Sequence, residues 1–256
     1  QLRNNNCVYV DKTELVYRLT HTDQVYFLSR PRRFGKSLLV STLEAYFQGK
    51  KDLFRGLAME RLEQDWESYP VLHIDFSISK YLSAHYLRSA INWFLERWER
   101  EYGCCVEDKK GTPFSVRLGN VIESAYKKTG KAVVVLVDEY DSPMLDTNSD
   151  VALQGELRGI MRDFFSPLKG MGQYLRFLFI TGISKFSQMS IFSELNNLQN
   201  ISMRDDFSAI CGTPEEALAQ IDSKQYAVPY QADGRRVVKV GVNFDSATRT
   251  IGEWIV

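Results

Sequence analysis

The sequence predicts an α/β fold in three layers, with a mostly parallel β-sheet between two layers of helices. Three observations carry that expectation. Val25-Tyr26-Phe27-Leu28 reads as a buried strand, runs through a short loop, and gives way to a helical period at Leu38, Leu39, Thr42, Leu43 and Phe47. Residues 133–137 are an unbroken apolar run, as expected of a strand covered on both faces. Strand-like and helix-like segments then alternate through most of the chain, the pattern of a parallel sheet with crossover helices.

Taken in order, residues 11–20 read as a short amphipathic helix ahead of the first strand. Residues 71–76 read as a strand with Asp75 near its exposed end, and residues 82–102 as a long helix. The aromatic residues of that helix, Tyr86, Trp93, Phe94 and Trp98, read as core or packing surface and not as a base-stacking platform. Residues 114–128 form another helix before the apolar strand at 133–137. Residues 155–168 are helical and amphipathic, residues 175–180 form a strand, and residues 198–203 supply a fifth. Near Gly212 the pattern changes: residues 213–224 read as a helix, and residues 236–244 and 248–256 as two strands of a hairpin. The expected division is therefore an α/β domain over 1–212 and a small appendage over 213–256. The appendage is too short to hold a core of its own.

The loop after the first strand, Arg30-Pro31-Arg32-Arg33-Phe34-Gly35-Lys36-Ser37, has the chemistry of a phosphate cradle. Strand, loop and helix in that order would aim backbone N–H groups and the positive helix end at an anion. Lys36 would reach the β- and γ-phosphates of ATP, and the Ser37 hydroxyl would ligate Mg²⁺. Arg30, Arg32, Arg33, Phe34, Gly35 and Leu38 complete the expected binding loop. Arg30 stands where the general pattern G-x-x-x-x-G-K-[ST] has its first Gly, so either Arg30 takes a backbone conformation usually left to Gly or the loop opens differently.

Asp138 and Glu139 follow the buried strand at its carboxyl end, where open α/β sheets place ligands. Asp138 is the expected metal-side acid, and Glu139 the group that orients and polarises water. An acid pair here favours hydrolysis over phosphoryl transfer to a metabolite. Thr181, at the end of the strand at 175–180, is the expected sensor of the γ-phosphate, with Ser184 in reserve. Asp141 reads as a third carboxylate on the following turn.

Composition bounds these readings. The chain has 256 residues, 44% hydrophobic and 12% aromatic, enough for a full α/β core. Lys plus Arg and Asp plus Glu are both 32, which argues against a non-specific nucleic-acid or anionic-membrane binder. Cys7, Cys104, Cys105 and Cys211 fit neither a zinc site nor a disulfide framework, so reduced cysteines and a cytoplasmic place are expected. No segment approaches the apolar length of a membrane span.

Several stretches together resemble the bacterial AAA-ATPase-like family. They are the phosphate loop from Arg30 to Leu39, Tyr9-Val10-Asp11-Lys12-Thr13, Val137-Asp138-Glu139-Tyr140-Asp141, Thr181-Gly182-Ile183-Ser184-Lys185-Phe186-Ser187, and Ser190-Ile191-Phe192-Ser193-Glu194-Leu195-Asn196-Asn197-Leu198. In that family the loop opens with an Arg-Pro pair, as here. The resemblance implies a P-loop NTPase fold that uses ATP and Mg²⁺. The tail, with Glu216-Ala217-Leu218-Ala219-Gln220-Ile221, Tyr226-Ala227 and Lys239-Val240-Gly241-Val242-Asn243-Phe244, resembles the end of the PD-(D/E)xK nuclease-like module that often follows such a domain. Between Gly212 and Thr213 the family would carry a helical lid and the first half of the nuclease fold, so the resemblance implies an internally deleted member.

Three functions follow as expectations. The leading one is ATP binding with Mg²⁺-dependent hydrolysis. The second is a nucleotide-binding regulatory or scaffold remnant without turnover, and the third a DNA-processing nuclease. The third is undercut by the tail, because residues 213–256 contain no Glu-x-Lys to complete a metal site. The expected partner is a nucleotide. A protein or nucleic-acid partner is not identified, an oligomer is left open, and no membrane is expected.

Overall fold

The computed structural model describes residues 11–30, 34–109, 111–147, 150–183, 195, 197–202, 204–211, 241–245 and 250–255. Helix α1 (Thr13–Thr22) leads to β1 (Val25–Ser29), and α2 (Lys36–Phe47) follows the loop. A 3₁₀ turn and α3 (Ala58–Leu62) precede β2 (Val71–Asp75). Then come α4 (Ala84–Tyr102), α5 (Phe114–Thr129), β3 (Val133–Asp138), the short α6 (Ser142–Leu145), α7 (Val151–Phe165), β4 (Leu175–Gly182) and β5 (Gln199–Asn200). A 3₁₀ segment, Asp205–Cys211, follows β5.

The five strands form one sheet in the order β2-β3-β4-β1-β5, and every pairing in it is parallel. Such strands must be covered on both faces because every connection crosses over the sheet. All six residues of β3 are buried, and alternate side chains enter opposite layers. Val133, Val135 and Val137 join the core beneath α4, α5 and α7. Val134 and Leu136 join the core beneath α1, α2 and the 3₁₀ segment of Phe207 and Ile210. Each fully buried side chain of this size contributes about 1.5–3 kcal/mol. This strand therefore ties the two helical layers together and fixes where its carboxyl end lies.

The predicted α/β fold class holds: the protein has a P-loop-like three-layer architecture. Differences are local. The fifth strand is two residues long: the buried Ile201 still donates its amide to the Phe27 carbonyl at 3.0 Å, and at Ser202 the side-chain hydroxyl takes the Ser29 amide at 2.8 Å in place of a backbone carbonyl. The helix expected over 155–168 begins earlier, at Val151, where the Asp150 side chain accepts a hydrogen bond from the Leu153 amide at 2.9 Å. It ends at Phe165, and Pro167 in the next turn makes a 3₁₀ continuation, Ser166–Lys169. On α4, Phe94 and Trp98 are core, but Tyr86 and Trp93 are about half exposed. The helix expected at 213–224 lies outside the described residues. The two terminal strands are β6 (Gly241–Asp245) and β7 (Thr250–Ile255), paired antiparallel as a hairpin.

Strand register lines up the functional ends. Leu28 pairs with Thr181 and Ser29 with Gly182, while Val137 pairs with Ile180 and Asp75 with Asp138. The carboxyl ends of four strands thus form one rim. Strand β4, carrying Thr181, lies between the loop-bearing β1 and the acid-bearing β3.

Candidate functional site

The loop after β1 is closed by two residues of different kinds. Gly35 takes the left-handed conformation, φ +77°, immediately before α2. A side chain there would be strained, although the space in front of it is open. Arg30, at the other end, is not left-handed. Of the two alternatives expected at Arg30, the glycine-like conformation is not taken: Arg30 extends β1, its amide donating to the Gly182 carbonyl at 3.1 Å.

The Arg30 guanidinium turns toward the β5 side, donating to the carbonyls of Ser29 (3.2 Å) and Ser202. Ser202 also receives the Ser29 amide on its hydroxyl at 2.8 Å. Arg30 thereby fastens the start of the loop to the end of β5. Its carbonyl accepts from Lys36 Nζ at 2.9 Å, so the lysine curls back over the loop. Lys36 is 4% exposed, whereas Gly35, Ser37 and Leu38 are exposed and Phe34 is half-buried. Arg32 and Arg33 lie outside the described residues, as does Ser184.

The charges of three acids act on this lysine. Burial lowers the proton affinity of Lys36 below that of a free lysine, opposed by the charges of Glu139, then Asp138, then Asp141. Asp138 is 2% exposed, and its Oδ1 accepts from Thr181 Oγ1 at 2.5 Å and from the Glu139 amide at 3.0 Å. Thr181 is fully buried, so its hydroxyl serves Asp138 directly. Glu139 is the next residue and has φ +49°, a conformation that non-glycine residues seldom adopt. This twist turns the chain off β3 and leaves the Glu139 side chain half-buried at the rim.

What holds the twist is a clamp between β4 and the turn after β3. The Tyr140 amide donates to the Thr181 carbonyl at 2.9 Å, and the Ile183 amide donates to Asp141 Oδ2 at 2.9 Å. Tyr140 and Asp141 are fully buried, with the Tyr140 ring edge-on to Phe27 at 5.6 Å. Gly182 lies beneath that ring: a methyl group there would sit 2.5 Å from Tyr140 Cδ1 and Cε1 and 2.7 Å from Asp141 Oδ1. Gly182→Ala is therefore expected to destabilise the protein by about 1–3 kcal/mol, the usual cost of overpacking a fixed core. Urea unfolding followed by circular dichroism reads this directly; an unchanged midpoint would mean that the clamp is looser than its geometry.

Sequence reasoning placed Lys36, Ser37, Asp138, Glu139 and Thr181 at one rim, and the fold brings their elements together there. It did not find the structural work of Asp141, Tyr140, Gly182 or Ser202. Ser142-Pro143, a helix-start signal, could have marked the short α6 and so the tight turn before it. Cys211 was also missed. Burial holds its thiol up at about 12, and it lies within the fields of Arg30 and Lys36.

A five-stranded parallel sheet with a glycine-turned loop at one strand end and paired acids two strands away defines a P-loop-like nucleotide-binding class. A family model described as predicted AAA-ATPase matches residues 1–192, and the chain belongs to that family. A model of the PD-(D/E)XK nuclease superfamily matches residues 194–254. Within that second range, β5 pairs with β1, and Ile201, Phe207 and Ile210 pack in the core beside α2. A protein of Azotobacter chroococcum mcd 1, described as an uncharacterized protein in the vnfD 5′ region, is 40% identical over 208 residues. The aligned part is 81% of this chain and 40% of that relative, so the chain spans well under half of the relative's length. No helix among the described residues is long and apolar enough to cross a membrane.

Proposed function

We propose that the chain binds ATP at the loop between β1 and α2 and hydrolyses it with Mg²⁺. The observation that carries this reading is the buried Lys36, set behind a left-handed Gly35 at the start of α2 and within the fields of Glu139, Asp138 and Asp141. The donor set fits the ligand. The Ser37 hydroxyl, exposed at the start of α2, and the Asp138 carboxylate are the hard oxygens that Mg²⁺ prefers. The bound metal would neutralise charge on the terminal phosphates.

The chain's own residues do the rest. Lys36 exchanges the Arg30 carbonyl for phosphate oxygens, and the first N–H groups of α2 complete the cradle. Asp138, fixed by Thr181, accepts the metal or its water. Glu139 orients the attacking water and takes its proton. Thr181 enters through Asp138, which links any γ-phosphate response to the β4 strand. Arg30 holds the loop to β5; Phe34 and Leu38 flank Gly35, Lys36 and Ser37 in the chain, and Arg32 and Arg33 are assigned to supply extra positive charge for the phosphates.

We assign residues 1–212 to the nucleotide-binding unit, supported by the packing of β5 and the following 3₁₀ segment into its core. Nuclease activity is not part of this reading, which rests on the loop and acids of residues 1–212; the one (Asp/Glu)-x-Lys between residues 194 and 254 is Asp222-Ser223-Lys224, outside the described residues. A cytoplasmic place accords with the free thiols of Cys104, Cys105 and Cys211. The test is calorimetric titration with ATP and ADP in Mg²⁺, followed by steady-state hydrolysis with and without single- and double-stranded DNA. Micromolar binding and turnover with intact DNA are expected. Binding without turnover would favour a regulatory or scaffold role, and no binding would overturn the proposal.

A further inference from the structure

We propose that Ser142 is the positioning residue for Glu139, holding one carboxylate oxygen so that the other faces the water. The inference rests on the reading of Glu139 as the group that activates water. Ser142 Oγ donates to Glu139 Oε2 at 3.1 Å. Glu139 Oε1 is bonded by none of the described residues. One oxygen is therefore tied and the other left to accept a proton, the arrangement that a base needs when its chain has several rotatable bonds.

The anchor is itself fixed. The Ser142 amide donates to the Glu139 carbonyl at 3.0 Å, closing the turn between the two residues. Ser142 begins α6, whose Pro143 and Met144 are buried. On the Glu139 side, the amide is held by Asp138 Oδ1 at 3.0 Å, with Thr181 Oγ1 at 3.4 Å. Buried Tyr140 and Asp141 lie between the two residues, bonded to β4. Both ends of the Ser142–Glu139 bond thus sit on backbone that cannot drift, and the left-handed Glu139 is what brings its side chain back toward residue 142.

Ser142→Ala is expected to lower kcat about tenfold, the equivalent of one hydrogen bond to a charged group. KM and the affinity for a non-hydrolysable ATP analogue should stay within about twofold, and the unfolding midpoint should not move. Ser142→Thr keeps the hydroxyl and should restore the rate. A second readout needs no turnover: in nucleotide-free protein with ¹³C-labelled glutamate, the Glu139 carboxyl resonance, assigned by its loss in Glu139→Gln, should move in Ser142→Ala and return in Ser142→Thr. Wild-type kcat in Ser142→Ala, or an unmoved resonance, would overturn the inference. So would a loss of kcat matched by an equal loss of analogue affinity, which marks general damage. If wild type does not turn over, or Glu139→Gln turns over normally, the role of Glu139 falls and that of Ser142 with it. If Glu139→Gln is inactive and Ser142→Ala is not, only Ser142 is misassigned.

Discussion

Lys36→Ala is expected to weaken ATP binding by about 100-fold or more while leaving the fold intact. The lysine is buried, so its ammonium is screened little by water, and it donates to the Arg30 carbonyl of the loop itself. Loss of two charge-assisted contacts to phosphate, each about 1.5–3 kcal/mol, gives a change of that order. The alanine also removes the cation whose charge offsets those of Glu139, Asp138 and Asp141, which repels a polyanion further. Titration of a fluorescent ATP analogue into wild type and variant is the measurement, with circular dichroism to establish folding. Equal affinities in two folded proteins would remove the nucleotide site from this loop.

The second large effect separates the two acids. Glu139→Gln should keep nucleotide affinity and lose about 100-fold or more in kcat, since glutamine is close in shape but cannot accept the proton of water. Asp138→Asn should instead weaken binding only when Mg²⁺ is present. Its remaining oxygen can still accept from Thr181 and the Glu139 amide, but the amide nitrogen cannot face a cation. Calorimetry with and without Mg²⁺, paired with steady-state rates, distinguishes the two. A Glu139→Gln variant that keeps most of the wild-type rate would move the water-activating role elsewhere. An Asp138→Asn variant equally weak with and without metal would make Asp138 a structural residue.

The sequence alone determined the elements that carry these roles. The short, Val-rich apolar run at 133–137 reads as a strand covered on both faces, which places Asp138 and Glu139 at its carboxyl end. The Gly35-Lys36-Ser37 start of a helical period fixed where a phosphate loop would turn. Alternation of apolar runs and helical periods fixed the parallel sheet, because each parallel strand needs a crossover. These are local or periodic signals, and periodicity survives in a bare sequence.

Other features were decided only by tertiary structure. That Arg30 serves Ser202 depends on β5 pairing beside β1, a contact across more than 170 residues. That Thr181 bonds Asp138 depends on strand order, which no strand carries in its own composition. The left-handed turn at Glu139 runs against the preference of its residue type. It persists because Tyr140 and Asp141 are buried against β4 and Gly182 leaves room for them. Sequence pattern encodes which face of an element is buried. Which partner it meets there, and what strain that partner holds in place, is set by packing between segments that only the folded chain brings together.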